Sequence, residues 1–145
     1  MTDASQPIGY WSGEAHRRTI TFIRAQIVEL GLTQPQYWIL RNLSRQDLSP
    51  DGQGRTVDEL VEAMSDYLLP EDDVQLESHD LLARGLLRLD GDDRLWITEA
   101  GEAARTRVKR HAPAIRDRIH AGISDEEYTA ALAVLQKMIA NTTPA

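Results

Sequence analysis

The spacing of apolar residues predicts a mainly helical chain. From about Gly9 to Leu30, apolar side chains recur every three or four residues, which is the spacing of one helix face. The next stretch, "LTQPQYWILRNL", opens with Thr33 as an N-cap and Gln36 three residues later, the arrangement of a capping box. "TVDELVEAM" repeats this arrangement with Thr56 and Glu59. Three helices are therefore predicted in the first half of the chain.

A fourth predicted helix is strongly acidic. The segment "LPEDDVQLESHDLLARG", Leu69 to Gly85, has a narrow apolar face and ends at a glycine, and we expect Pro70 in its first turn. The acids from Glu71 to Asp73 suit a helix start because they oppose the positive end of the helix dipole. Glu77 and Asp80 lie beyond the first turn, so the same reasoning does not explain them.

The rest of the chain predicts a hairpin and two more helices. Leucine and isoleucine alternate with polar or larger residues on both sides of the turn at 90–93, which indicates a short β-hairpin. Thr98 caps a long helix from about Glu99 to His120, and a last helix follows the capping box of Ser124 and Glu127. Helices followed by a hairpin form the winged helix-turn-helix pattern, in which the second helix of the motif docks in the major groove of DNA.

Length and composition indicate one globular domain. The chain has 145 residues, of which 41% are hydrophobic and 27% charged, so wholesale disorder is not expected. There is no cysteine, which excludes disulfides and thiolate chemistry. The start is polar, unlike a secretory signal, and no run of apolar residues is long enough to cross a membrane. We therefore expect a cytoplasmic protein that makes no membrane contact.

The charge balance is unusual for a protein that binds DNA. The net charge is −7, and residues 56–98 alone contain 12 acidic and 3 basic residues. DNA-binding domains usually present a basic surface to the phosphates. Any affinity for DNA must come from a local arrangement of cations or from residues outside this segment.

Five segments, in this order and spacing, resemble the MarR family of bacterial transcription regulators. They read "GLTQPQYWILRNL", "TVDELVEAM", "LLARGLL", "DDRLWITEAG" and "GISDEEYTAALAVLQKMI", and the opening "QPIGYW" is similar to actinobacterial members. The resemblance covers nearly the whole chain. It implies a single MarR-like domain over 1–145, a mainly α fold with a winged helix-turn-helix lobe at 33–98, and helices for dimerisation at 7–31 and 99–141.

The same resemblance implies how such a protein works. Family members are homodimers in which the terminal helices interlock and two winged lobes present recognition helices to palindromic duplex DNA. Many members also bind a small phenolic or other aromatic effector in a cleft between the two regions. We therefore expect a ligand-responsive, DNA-binding transcriptional regulator.

Two features depart from the family pattern. Aligned back from Gly85, the positions where family recognition helices carry arginine hold Glu71 and Leu76, and a later basic position holds Asp80. The wing is also short, because Arg94 stands only four residues before Thr98. These departures leave the fold inference intact and weaken the inference about DNA contacts.

Residues that remain able to contact DNA are polar or basic and lie in or near the motif. Gln75 has the chemistry to read adenine, and His79 can donate to a phosphate. The remaining candidates are a serine of the recognition helix and arginines around the motif and wing. The full set is Gln75, Ser78, His79, Arg84, Arg88, Arg94 and Arg55.

Aromatic residues near the N-terminus suggest an effector site. Five of the eight Phe, Trp and Tyr residues lie in the first 38 positions. Aromatic walls with one cation suit an aromatic carboxylate. The candidate ligand-binding residues are Trp11, His16, Tyr37, Trp38 and Arg41. The alternative is that these aromatics form a dimerisation core.

Other chemistries find no support in the sequence. The four histidines do not have the spacing of a metal site, and no nucleophile-elbow or P-loop motif is present, so no enzyme activity, metal or cofactor is expected. The basic run at 105–111 is interpreted as a solvated helix face. The alternative function is a MarR-fold module that binds a ligand or a basic protein and has lost specific DNA binding.

Overall fold

The computed structural model describes residues 3–145, which form six α-helices and one two-stranded antiparallel sheet. In chain order the elements are α1 (Ile8–Glu29), α2 (Gln34–Leu43), α3 (Val57–Met64), α4 (Val74–Ala83), β1 (Leu87–Leu89), β2 (Leu95–Ile97), α5 (Glu99–Ile119) and α6 (Asp125–Thr142). The mainly helical fold with a hairpin between α4 and α5 confirms the predicted element order. No helix among residues 3–145 has the length and apolar character needed to cross a membrane.

Local capping determines where several helices begin. Thr33 and Ser124 each cap a helix with a complete capping box, as predicted. At α3 only half of the predicted box forms. The Thr56 hydroxyl accepts from the Glu59 backbone N–H at 3.2 Å, but the Glu59 carboxylate pairs with Arg94 at 3.3 Å. A charged partner from the wing thus replaces the reciprocal backbone contact.

The acidic helix begins later than the sequence predicted. Helix α4 begins at Val74, and the side chain of Asp73 caps it by accepting from the Leu76 backbone N–H at 3.1 Å. The expectation that Pro70 occupies the first turn is wrong, because Leu69 to Asp72 form a separate turn in which the Asp72 carboxylate accepts from the Leu69 N–H. Glu71 and Asp72 therefore lie before the helix and not within it.

The chain divides into two compact units, one ending at Ala112 and one beginning at Pro113. The first unit has a core to which every one of its elements contributes. Burying one large apolar side chain in this core contributes about 1.5–3 kcal/mol to stability relative to leaving it exposed. Core members from α1 through α5 include Ile27, Leu40, Leu60, Leu81, Leu87, Leu95 and Val108.

A third short segment of extended backbone, at Arg55, pairs with strand β2 of the hairpin. Strands β1 and β2 pair with Leu87 opposite Ile97 and Leu89 opposite Leu95. Arg55, just before α3, exchanges two backbone hydrogen bonds with Leu95. These bonds tie the start of α3 to the wing and so hold both at the same side of α4.

The second unit consists of the end of α5 and helix α6. Helix α5 continues through Pro113 to Ile119, and a turn with Gly122 at φ +77° leads to the Ser124 cap. The rings of His120 and Tyr128 pack 4.3 Å apart within this unit. None of the α6 side chains is buried, and most of its large apolar residues are exposed, including Leu132 and Ile139.

Candidate nucleic-acid interface

Asp72, in the turn before α4, is held by helix α1. Both carboxylate oxygens of Asp72 accept from the Arg24 guanidinium, at 2.7 and 2.8 Å, and the Asp72 side chain is only 4% exposed. The hydrogen bonds from Arg24 lower the pKa of Asp72 below its ordinary value. Arg24 also donates to Gln34 at 3.0 Å and lies over the Trp38 ring. Asp72 is therefore neutralised by α1 and directed away from solvent.

Glu77 and Asp80 are held by the start of helix α2. The Thr33 hydroxyl donates to the Glu77 carboxylate, and the Gln36 side-chain amide donates to Asp80 at 2.7 Å. Thr33 is the N-cap of α2, so both carboxylates lie at the positive end of that helix. The interpretation of these two acids as unexplained is corrected: they stabilise the contact between α4 and α2. No local pattern in the sequence marks these contacts, because each partner on α2 lies 44 residues before its acid.

Arg84 has a similar structural role at the end of α4. Its guanidinium donates to the Gly31 carbonyl at 2.7 Å and lies 3.6 Å from the Asp80 carboxylate. Gly31 is in the turn between α1 and α2, where its φ of +98° favours glycine. Arg84 is thus placed at the α1–α2 turn, although its side chain remains 41% exposed.

The arginines of the wing are engaged within the wing lobe. Arg88 on β1 lies over the Trp96 ring at 5.0 Å, and the Trp96 ring N–H donates to Asp90 at 2.8 Å. Arg94 donates to the Gly54 carbonyl at 2.9 Å and pairs with Glu59. Arg88 remains exposed, whereas Arg94 is half-buried. The wing therefore offers Arg88 as its more accessible cation.

Helix α4 presents Gln75 and His79 on the side opposite to its α2 contacts. Both line a groove of about 450 Å³ between α4, the start of α3 and the wing. Ser78 lies on the floor of this groove and is 2% exposed, so its side chain is not at the surface as the other candidates are. Leu76, at 63% exposure, is the most exposed large apolar side chain of α4. The structure thus brings together Gln75, Ser78 and His79 and places Arg84 on another side of α4.

The five residues predicted to bind a ligand fall into two groups. Tyr37 is buried, burial raises its pKa, and Arg41 lies over its ring at 5.6 Å. The Trp38 ring packs edge-on against Tyr67 at 4.7 Å. Trp11, on the first turns of α1, is 51% exposed and donates to Gln6. Among residues 3–145, no hydrogen bond, ion pair or ring contact joins Trp11 or His16 to the α2 group.

Arg41 already has a carboxylate partner within the chain. It donates to both oxygens of Asp47 at 3.1–3.2 Å, and this contact raises its pKa. Arg105 also pairs with Asp47, at 3.3 Å, and is 3% exposed. The interpretation of the basic run at 105–111 as a solvated face is wrong for Arg105, because Asp47 draws it into the protein. No local pattern in the sequence marks Asp47, which lies in the loop between α2 and α3.

A three-dimensional comparison defines the class of fold. Winged-helix regulators of the MarR type match over most of their length and most of this chain. The chain therefore has the MarR-type winged-helix fold, as the resemblance implied. No protein-family model matches the chain, and no curated protein matches it.

Three of the similar structures indicate how close the likeness is. A MarR-family transcriptional regulator from Silicibacter pomeroyi is 26% identical, with a TM-score of 0.58 over 94% of this chain and 90% of that one. A MarR family protein from Mycobacterium tuberculosis, solved with DNA, is 21% identical, with a TM-score of 0.67 over 92% and 98%. BpsR of Bordetella bronchiseptica, whose DNA binding is regulated by 6-hydroxynicotinic acid, is 21% identical, with a TM-score of 0.68 over 95% and 97%.

Proposed function

We propose that this chain is a MarR-type transcriptional regulator that binds duplex DNA as a homodimer. The observation that carries the proposal is the division of helix α4 into two sides. Asp72, Glu77 and Asp80 are held by partners on α1 and α2, while Gln75 and His79 lie on the other side. The charge of the α4 region is therefore a poor guide to the surface that DNA would meet.

DNA contact would depend on few cations and on side chains that read bases. Gln75 is suited to a bidentate contact with adenine in the major groove, and His79 and Arg88 are suited to phosphates. Because few phosphates would be neutralised, we expect binding that is weak at physiological salt and strengthens as salt is lowered. The M. tuberculosis structure with DNA supports this use of the fold.

The proposal includes control of DNA binding by a small effector. BpsR is regulated by a small aromatic acid, which supports a small aromatic effector here as well. Trp38 and Tyr37 remain the better-connected candidates, since Arg24 links Trp38 directly to the turn before α4. An effector would alter DNA affinity only if it bound one arrangement of the lobes better than another. No enzymatic activity is proposed, and action on genomic DNA implies the cytoplasm.

The test is selection of bound sequences from a random duplex library by the full-length protein at low salt. The expected result is enrichment of a palindromic sequence, with affinity then measured by fluorescence anisotropy. Gln75→Ala is expected to reduce discrimination at one base pair by about 1–3 kcal/mol. His79→Ala should weaken binding to all sequences alike, because a phosphate contact carries no base information.

His111→Ala is the matched control, since His111 is an exposed histidine on α5 whose ring, within residues 3–145, forms a hydrogen bond only with a backbone carbonyl of its own helix. It should leave DNA binding unchanged. A library with no enriched sequence would contradict the proposal. The second candidate function, a winged-helix module without DNA binding, would then be favoured, as the carboxylates of Asp58 and Asp93 beside the groove already suggest.

A further inference from the structure

The groove beside α4 has the size of a small-molecule site, and its lining is partly apolar. Its volume of about 450 Å³ lies within the range of about 300–1,000 Å³ that is usual for ligand pockets. Val57 of α3, Leu82 of α4, Leu89 of β1 and Leu95 of β2 contribute apolar surface from three directions. Leu89 is 52% exposed, so a ligand in the groove would cover apolar surface that now meets solvent.

The charged groups of the groove are carboxylates. Asp58, in the first turn of α3, and Asp93, in the turn of the wing, both line it, and none of the described residues that line it is a lysine or arginine. Among residues 3–145, neither carboxylate forms an ion pair or a side-chain hydrogen bond. This contrasts with Asp72 and Asp90, whose carboxylates are occupied by partners within the chain.

Two arginines of the wing are turned away from the groove to other partners, and Arg55, which precedes Thr56, does not line it. Arg94, adjacent to Asp93, donates to Gly54 and pairs with Glu59, and Arg88 lies over Trp96. The start of α3 by itself would favour an anion through the helix dipole, but the carboxylates of Asp58 and Glu59 in its first turn offset that charge. The groove therefore favours a positive ligand.

Ser78 is a second, independent indication that the groove binds a ligand with a polar group. It is 2% exposed and lines the groove, and within residues 3–145 its hydroxyl has no hydrogen-bond partner. Buried hydroxyls are nearly always paired, because an unpaired one loses its hydrogen bonds to water without replacement. A polar group of a bound molecule on the groove floor would provide the missing partner.

We propose that this groove binds a compact organic cation, with an aromatic or alkyl body against the leucines and an ammonium group between Asp58 and Asp93. The site is distinct from the aromatic cluster of Tyr37 and Trp38, and it selects the opposite charge from that of an aromatic carboxylate. Binding requires no DNA. The further consequence, that the cation competes with DNA for the face formed by Gln75 and His79, rests on the proposed function.

The test uses benzyltrimethylammonium as the probe, with benzoate as the anionic and benzyl alcohol as the neutral comparator. Affinity is measured by isothermal titration on the full-length protein, and amide shifts in ¹⁵N-labelled protein report the location. We expect the cation to bind better than both comparators and to shift the amides of Ser78 and His79. Equal or better binding of benzoate, or shifts confined to other helices, would overturn the proposal.

Two pairs of variants separate the site from general attraction to a protein of net charge −7. Asp58→Asn and Asp93→Asn should each lower the affinity for benzyltrimethylammonium by about fivefold, the effect of losing one partly exposed charge contact. Asn also tolerates the φ of +58° at Asp93. The controls Glu62→Gln on α3 and Asp92→Asn in the wing remove one charge outside the groove and should leave affinity unchanged. Equal losses in variants and controls would refute a specific site.

The DNA library selection and the probe titration together distinguish this inference from the proposed function. If the library selection fails while benzyltrimethylammonium binds as described, the cation site stands and the regulator proposal falls. If DNA binds and the probe does not, the regulator proposal stands and the cation site falls.

Discussion

Gly101 stands where helix α5 passes close to the end of the winged lobe. A Cβ placed there would lie 2.2 Å from the Leu86 carbonyl oxygen and 2.8 Å from an Ile97 side-chain carbon. The first of these is backbone and cannot move aside easily. Gly13, on α1, has the opposite surroundings, because a Cβ there would meet only the flexible end of Arg17 at 3.4 Å.

These two glycines should respond oppositely to alanine. Gly13→Ala is expected to raise the free energy of unfolding by about 0.5–1 kcal/mol, the usual gain within a helix. Gly101→Ala is expected to lower it by about 1–3 kcal/mol, because overpacking outweighs that gain. Urea denaturation followed by circular dichroism, at one protein concentration, measures both. A stabilised Gly101→Ala protein would mean that α5 is free to move away from Leu86.

Glu77 and Asp80 of α4 show that a sequence pattern gives the position of a charge along the chain but not its partner in the fold. The sequence placed both Glu77 and Asp80 beyond the first turn of the helix. This was correct for Asp80 but wrong for Glu77, because α4 begins at Val74 and Glu77 lies in its first turn. The sequence did not show their direction, because their partners Thr33 and Gln36 are 44 residues away in the chain. Local pattern predicts the position of a charge on a helix, but only tertiary packing supplies a distant partner.

At the scale of elements, the turn before α4 is tied to helix α1. Asp72 accepts from Arg24 and from the Leu69 backbone N–H, so one carboxylate both orders the turn and joins it to α1. Because the pKa of Asp72 is lowered below 3.8 by Arg24, the folded state favours its ionised form. This contribution to stability is present above the unfolded pKa and is lost as the pH falls through the lower folded value.

Asp72→Asn is therefore expected to destabilise the protein at neutral pH by about 1–3 kcal/mol, less than a fully buried pair because Arg24 is partly exposed. The difference from the unmodified protein should shrink as the pH falls below 3.8. Denaturation curves at neutral pH and in acid check both statements. Asp66→Asn, an exposed acid in the same connection, should change stability at neutral pH by less than about 0.5 kcal/mol. A constant difference across this range would contradict the role given to Asp72.

At the scale of the whole molecule, helix α6 exposes more apolar surface than a free helix should. Leu132 is 41% exposed, Ile139 66% and Tyr128 37%, and at 100° per residue these three share one face. Exposed apolar stripes of this kind are expected to be covered by another subunit. The proposed homodimer provides such a cover.

Leu132→Asp is expected to convert the proposed homodimer to monomer at micromolar concentration, because a charge would be buried in the interface. Ala133→Asp, one residue along and on another side of the helix, adds the same charge outside the stripe. Sedimentation equilibrium measures the mass of each. If Leu132→Asp retains the mass of the unmodified protein, α6 does not contribute to a dimer.

Local signals in the sequence determined the elements of this protein. Capping residues such as Thr33 and Ser124, apolar periodicity and the turn residues of the wing act over a few positions, so their effect is visible without a fold. The same local signals, in order, carried the resemblance to MarR regulators. The start of α4 was missed because the turn at 69–72 is closed by Asp72, whose main partner is on α1.

Only the tertiary structure decided which charges remain available. It engaged Arg41 and Arg105 with Asp47, and Asp72 with Arg24, while the carboxylates of Asp58 and Asp93 stayed beside an open groove. The physical reason is that an ion pair depends on distance in space. The sequence shows every charge but not its partner, whereas the fold pairs some charges and leaves others without an ion-pair partner.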